Sequence, residues 1–139
     1  MVRIATRENA YTMAELAELD ITPENVTALL DDTHRGWLCE DADQIVGFAM
    51  GNKTNGEMWV IAILPSHEKR GVGRQLITML EDWLWSEGWD DIWLTTSEDT
   101  ALRAYGFYLA CGWKDREIRD GLRYMHKQKP DEYSRAAGE

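Results

Sequence analysis

The chain has 139 residues, 44% hydrophobic and 29% charged, a globular mix sized for one domain with a sizeable core. Fifteen Lys and Arg stand against 25 Asp and Glu, a net charge of −10. That balance argues against a general nucleic-acid binder and against docking on anionic membranes, and it suits cationic partners.

Val2 to Thr6 reads as a short strand. Tyr11 to Leu19 carries Met13, Leu16, Ala17 and Leu19 at helical spacing. Thr22-Pro23-Glu24-Asn25 is a helix start, with Thr at the N-cap and Pro at N1, and that helix runs to about Asp32. Gly36 to Cys39 is a strand, Asp41 to Asp43 a turn, and Gln44 to Met50 the next strand. Lys53-Thr54-Asn55-Gly56 is a hairpin signal. Glu57 to Leu64 is apolar on both sides after Glu57, so a strand buried on both faces is expected, ended by Pro65.

Gly71 to Glu87 is an amphipathic helix. Val72, Leu76, Ile77, Leu80, Trp83 and Leu84 share one face, with Arg74, Gln75, Thr78, Glu81 and Asp82 opposite and Gly88 as the C′ residue. Asp91 to Thr96 is a strand. Thr100 to Cys111 is a helix with almost no polar face, ended by Gly112. Trp113 to Ile118 and Leu122 to Lys127 form a hairpin across Arg119-Asp120-Gly121. One domain over 1–128 and a loose tail over 129–139 are expected.

Cys39 and Cys111 form no CxxC pair, which points away from a disulfide framework or zinc site and towards a reducing, cytoplasmic home. No apolar run approaches a membrane span, and no signal-peptide core follows Val2-Arg3-Ile4. The charge is uneven: the stretch to Leu64 holds four basic and eleven acidic residues, whereas the rest holds eleven and fourteen.

The run Pro65-Ser66-His67-Glu68-Lys69-Arg70-Gly71-Val72-Gly73-Arg74 joins a strand to a helix. A helix N-terminus presents unpaired N–H groups and the positive dipole end, and glycines let an anion approach the backbone. Lys69, Arg70 and Arg74 add positive charge there in an otherwise acidic chain. A Walker A loop is excluded, and the third glycine of a dinucleotide fingerprint is replaced by Leu76.

This run resembles the acetyl-CoA loop of the GNAT superfamily of N-acyltransferases, P-x-x-[Q/R]-x-x-G-x-G. Gly71 and Gly73 match, and Glu68 departs from the Gln/Arg slot, leaving its carboxylate to point away or to pair with Arg70. Ala101 to Trp113 is similar to the family's N-x-x-A-x-x-F-Y-x-x-x-G-F. Ala104, Phe107, Tyr108 and Gly112 match; Ala101 replaces the Asn, and Trp113 the Phe. The resemblance implies an α/β GNAT fold, with a mixed, mostly antiparallel central sheet of six to seven strands and about four flanking helices.

The resemblance also implies acetyl-CoA as co-substrate and an amine attacking its thioester directly. Cofactor contacts then fall to the backbone of Ala62, Ile63 and Leu64 and to Lys69, Arg70, Gly71, Val72, Gly73, Arg74 and Tyr108. Tyr108 matches the family's general acid beside the thioester sulfur. Glu57 matches a strand glutamate that some members use as base through a water, and Glu98 and Asp99 are alternatives. The acceptor would be a small-molecule or peptide amine, drawn to the acidic half where the family places its acceptor. A non-catalytic acyl-CoA-binding module is the alternative, supported by Glu68 and Ala101, and a homodimeric interaction domain is a third reading.

The remaining candidates carry blander expectations. His67 is read as an exposed loop residue, Cys111 as a small buried one, and Tyr105 as core. Trp59, Trp83, Trp93 and Trp113 are expected in the core, with Trp37, Trp85 and Trp89 unplaced. No residues have metal-ligand spacing.

Overall fold

A seven-stranded mixed sheet organises the protein, in the order β1-β2-β3-β4-β5-β7-β6. The strands are β1 Val2–Ala5, β2 His34–Asp41, β3 Gln44–Asn52, β4 Glu57–Ile63, β5 Asp91–Ser97, β6 Lys114–Arg119 and β7 Leu122–Gln128. A 3-10 turn at Pro65–His67 leads into helix α1, Val72–Ser86, and helix α2 is Arg103–Ala110. The computed structural model describes residues 2–5 by their backbone and residues 33–42 and 44–131 in full. The helices expected over Tyr11 to Leu19 and Thr22 to Asp32, and most of the expected tail, lie outside the described residues.

Every neighbouring strand pair is antiparallel except β4 and β5. Those two run parallel and meet only at Glu57↔Trp93, supported by the Trp93 N–H donating to Gly56 O at 3.1 Å. Beyond that point the strands part, and β4 from Met58 to Ile63 has no ladder partner on its β5 side. Strand β4 is therefore not buried on both faces, contrary to what its apolar sequence suggests. Within β4 only Met58 is buried, and Trp59 to Ile63 are all half-buried, because the splay opens a cleft along the strand.

The β3–β4 register skips Trp59, so β4 carries a bulge there. Gly51, paired with Met58, lies close under Leu80 and Trp83 of α1, and Gly47, paired with Ile63, lies under Leu76 and Val72. Met58, Ile61 and Ile63 therefore face α1. Glu57 pairs with Asn52, which pairs with His34, and falls on the opposite face. Without the bulge, Glu57 would share the face of Ile61 and Ile63.

Helix α1 buries Leu76, Ile77, Leu80, Trp83 and Leu84, as its 3.6-residue spacing requires. It ends in a Schellman motif: Trp89 N–H bonds Leu84 O, Gly88 N–H bonds Trp85 O, and Gly88 takes φ +100°. Glu81 departs from the expected polar face. It is 5% exposed and accepts hydrogen bonds from Trp113 Nε1 and Lys127 Nζ, both at 2.9 Å. Burial raises its carboxyl above the ordinary value. Lys127 Nζ also donates to Cys111 O at 2.8 Å, tying α1, the end of α2 and β7 together.

Helix α2 starts later than its sequence suggests, because Asp99 Oδ1 accepts the Ala101 N–H and the Leu102 N–H bonds Asp99 O in a preceding turn. Its apolar character does not signal full burial: only Tyr108 is buried, and Leu102 and Leu109 are exposed. Trp37 and Trp85 join Trp83 and Trp113 in the core, whereas Trp59 and Trp93 are half-buried beside the point where β4 and β5 part. The β6–β7 hairpin turns at Asp120 and Gly121, φ +55° and +80°, as expected from the sequence. Lys129 is tied back rather than loose: its N–H bonds Asp90 O at 2.8 Å and its Nζ pairs with Asp90.

Candidate active site

A cavity of about 550 Å³ opens between β4, the start of α1 and the face of α2. Ile61 and Ile63 line it from β4, Glu68, Lys69, Gly71, Gly73 and Arg74 from the loop and α1, and Arg103, Ala104, Phe107 and Tyr108 from α2. Of the sequence candidates, Ile63, Lys69, Gly71, Gly73, Arg74 and Tyr108 are brought together. Ala62, Leu64, Arg70, Val72 and Glu57 do not line the cavity.

The departures have physical reasons. Leu64 is buried and its N–H donates to Val46 O at 2.9 Å. By antiparallel alternation, the backbone groups of Ala62 and Leu64 point at β3 and those of Ile61 and Ile63 at the open β5 side. Val72 packs against β3 at Gly47, leaving only its backbone at the helix start. Arg70 is exposed and acts on Asp41.

The loop offers a helix N-terminus without a side-chain cap. Gly71 takes φ +85°, and a Cβ there would meet nothing within 4 Å, so its glycine requirement is conformational. Gly73 differs: a Cβ would sit 3.1 Å from Phe107 Cζ, so this glycine lets α1 approach α2 closely. Lys69 also holds positive φ, at +64°, a strained position for a side-chain-bearing residue.

The loop side chains are partly committed. Arg74 donates to Ala110 O at 3.2 Å. Glu68 pairs with Arg103 across the cavity, not with Arg70. His67 is not a free exposed histidine: its Nε2 lies 2.9 Å from Asp41 Oδ2 and its Nδ1 2.8 Å from Ser66 Oγ. The His67 hydrogen bond is the first cause holding the Asp41 carboxyl below its usual range.

Tyr108 is 6% exposed and lines the cavity between Phe107, at 5.6 Å between rings, and Trp113, at 6.4 Å. Burial pushes its phenol up to about 12, so it stays protonated at neutral pH. Cys111 is buried, and burial also pushes its thiol up. Tyr105 is not core: its hydroxyl donates to Asp115 at 2.8 Å, and Arg123 lies over its ring at 4.6 Å.

Glu57 stands across β4 from the cavity, beside the point where β4 and β5 part. Desolvation raises its carboxyl above the ordinary value, against a lowering hydrogen bond from Asn55. The half-buried His34 and Trp59, with rings 5.1 Å apart, share its face. Glu98 is exposed at the end of β5, and Asp99 is committed to the turn before α2. Sequence reasoning did not single out Ile61, Ala104, Phe107 or Arg103 as lining residues. The i, i+1, i+4, i+5 spacing of Arg103, Ala104, Phe107 and Tyr108 was the available signal for one helix face.

The acetyltransferase (GNAT) family matches residues 3–113. The chain belongs to this family. It is thus an N-acetyltransferase by family. Its fold is similar to that of an aminoglycoside 6'-N-acetyltransferase complexed with coenzyme A, at 20% identity and TM-score 0.77, covering 94% of this chain and 99% of that one. An aminoglycoside 6'-acetyltransferase type Ii gives 21% identity and TM-score 0.78 with the same coverage. The ribosomal-protein-S18-alanine N-acetyltransferase from Escherichia coli gives 19% identity and TM-score 0.68, covering 92% and 94%. No curated protein matches the chain by sequence. Among the described residues no helix is long and apolar enough to cross a membrane, and no cluster of potential metal ligands occurs.

Proposed function

We propose that the protein transfers the acetyl group of acetyl-CoA to a primary, cationic amine of a small molecule or peptide. The observation that carries this reading is the cavity itself, which joins an uncapped helix N-terminus with basic side chains to an unpaired strand edge and a buried, protonated phenol. Each part suits one portion of the co-substrate. The N–H groups at the start of α1, with Lys69 and Arg74, suit a pyrophosphate. The edge of β4 at Ile61 and Ile63 suits the amide-bearing pantetheine arm, which would add to the strand as a peptide does.

The reaction is attack of an amine on the thioester carbonyl, with a C–N bond formed, the C–S bond broken, one proton taken from the amine by a protein base and one given to the leaving thiolate by a protein acid. Glu57 takes the amine's proton, directly or through a water; its raised carboxyl makes it a better base than an ordinary glutamate. A β4 backbone N–H at the splay donates to the developing oxyanion. Tyr108 gives its proton to the leaving thiolate. The single pinning contact of β4 and β5 supports this division, because Glu57 and the cavity then lie on opposite faces of one opening.

An acidic chain suits a cationic acceptor, and the solved relatives named above act on aminoglycosides and on a protein alanine, which carry amines. The two free, buried cysteines support a reducing, cytoplasmic location. The test is thiol release from acetyl-CoA across polyamines, aminoglycosides and peptides with free N-termini. Saturable, amine-dependent release is expected for at least one cationic class. Release from neutral amines alone would overturn the assignment of acceptor charge.

A further inference from the structure

The cavity contains one acidic side chain among its basic ones. Glu68 stands on the loop before α1, and its carboxylate pairs with the guanidinium of Arg103, the first residue of α2. The pair spans the cavity from loop to helix. Its members are unequally exposed: the Glu68 side chain is 32% exposed and that of Arg103 74%. A guanidinium carries five N–H donors and one carboxylate occupies at most two, so Arg103 keeps donors for a second anion.

We propose that Arg103 is a ligand of the co-substrate's pyrophosphate, and that Glu68 competes with that pyrophosphate for the same guanidinium. The proposal rests on the cavity being the acetyl-CoA site. Arg103 faces the start of α1 from the other wall, so an anion at the helix N-terminus has a guanidinium on its far side. Arg74, the other arginine in the cavity, already donates to the Ala110 carbonyl, which limits its freedom to reach across. Without a ligand, Glu68 holds Arg103 at the rim; with one, the guanidinium turns to the pyrophosphate or shares itself between the two anions. Glu68 then sits as a negative charge beside a bound dianion, weakening binding and offsetting part of the salt-sensitive attraction of the basic side chains.

The test is calorimetric titration of the full chain with coenzyme A, dephospho-coenzyme A and pantetheine, for wild type, Arg103→Gln, Glu68→Gln and the double variant. Arg103→Gln is expected to weaken coenzyme A roughly tenfold, the scale of a charge-assisted hydrogen bond. It should weaken dephospho-coenzyme A equally, because that ligand keeps the pyrophosphate, and leave pantetheine unchanged. Glu68→Gln should tighten coenzyme A by about threefold to tenfold at low salt and steepen the fall of affinity as salt is raised, because a repulsion that offset the basic side chains is gone. In the double variant the gain from Glu68→Gln should shrink, since the competition has been removed. Arg103→Lys, which keeps the charge but not the fork, should bind between wild type and Arg103→Gln.

Unchanged coenzyme A affinity in Arg103→Gln would overturn the proposal, as would weaker binding in Glu68→Gln. An Arg103 effect seen with coenzyme A but absent with dephospho-coenzyme A would also overturn it, by moving the contact to the 3′-phosphate. These failures differ from failure of the co-substrate reading, in which wild type itself would bind no coenzyme A.

Discussion

Replacing Tyr108 with Phe separates chemistry from packing. The Tyr108 ring is wedged between Phe107 and Trp113, and phenylalanine keeps that ring. Among the described residues no hydrogen-bond partner is found for the hydroxyl, so its removal leaves no other group unsatisfied. The expected stability change is below about 1 kcal/mol. Coenzyme A affinity should stay within about twofold, because the hydroxyl contributes no charge to the phosphate end of the cavity. The kinetic effect should be much larger. A positioned general acid contributes about 10²–10⁴-fold, so kcat should fall by about a hundredfold or more, equivalent to roughly 2.7 kcal/mol of barrier.

The assay is thiol release at saturating acetyl-CoA and amine, with a thermal melt and a titration on the same preparation. Burial lifts the phenol to about 12, above its unfolded value of 10.0, so the protonated form persists through the neutral range. The stability linked to this group is complete below pH 10 and is lost as pH rises towards 12. No alkaline fall in rate from Tyr108 is therefore expected below about pH 10. An unchanged kcat in Tyr108→Phe would refute the acid role. A large fall in melting temperature accompanying the kcat loss would assign the effect to packing.

Other variants test other parts of the structure. Burial raises the Glu57 carboxyl, and a base must be ionised to act, so kcat/KM should climb with pH through a value above that of an ordinary glutamate. Glu57→Gln should remove that acid limb along with most of the rate, and a limb that persists would exclude Glu57. Gly71→Ala should destabilise by about 1–2 kcal/mol through its left-handed φ alone, measured by denaturant melts. Gly73→Ala pushes a methyl against Phe107 and should weaken coenzyme A more than it lowers stability. Glu81→Ala strands the Lys127 ammonium and the Trp113 indole N–H, and a loss of about 3–5 kcal/mol is expected; a loss below 1 kcal/mol would show that the buried carboxylate stabilises little.

Much of this was legible in the sequence, for reasons specific to certain residues. The α1 face from Leu76 to Leu84 was readable because helical period and burial coincide, and Gly88 was readable because few residues accept φ +100°. The Asp120-Gly121 turn followed from the same rule. The element order and the two glycines of the loop carried the family resemblance. What failed was inference from apolarity to burial. Ile61 and Ile63 in one apolar run, and Ala104, Phe107 and Tyr108 in the other, line a cleft, and composition does not distinguish a cleft from a core.

Long-range polar pairing was equally hidden. Glu81 looks like a surface residue of an amphipathic helix until Trp113 and Lys127 arrive from 32 and 46 residues away. Glu68 finds Arg103 rather than its sequence neighbour Arg70 for the same reason. The bulge at Trp59 inverted the face of Glu57, and a skipped residue in the pairing with β3 leaves no mark in the sequence. These features place the candidate base and acid on opposite faces of the sheet.

The most direct measurement is calorimetric titration of the protein with acetyl-CoA and with coenzyme A at two salt concentrations. Saturable binding at one site per chain is expected, weaker at the higher salt and weaker again when Lys69 and Arg74 are both changed to Gln. Absence of binding at millimolar ligand would contradict the co-substrate assignment, and binding indifferent to salt and to both substitutions would contradict the placement of the pyrophosphate at the start of α1.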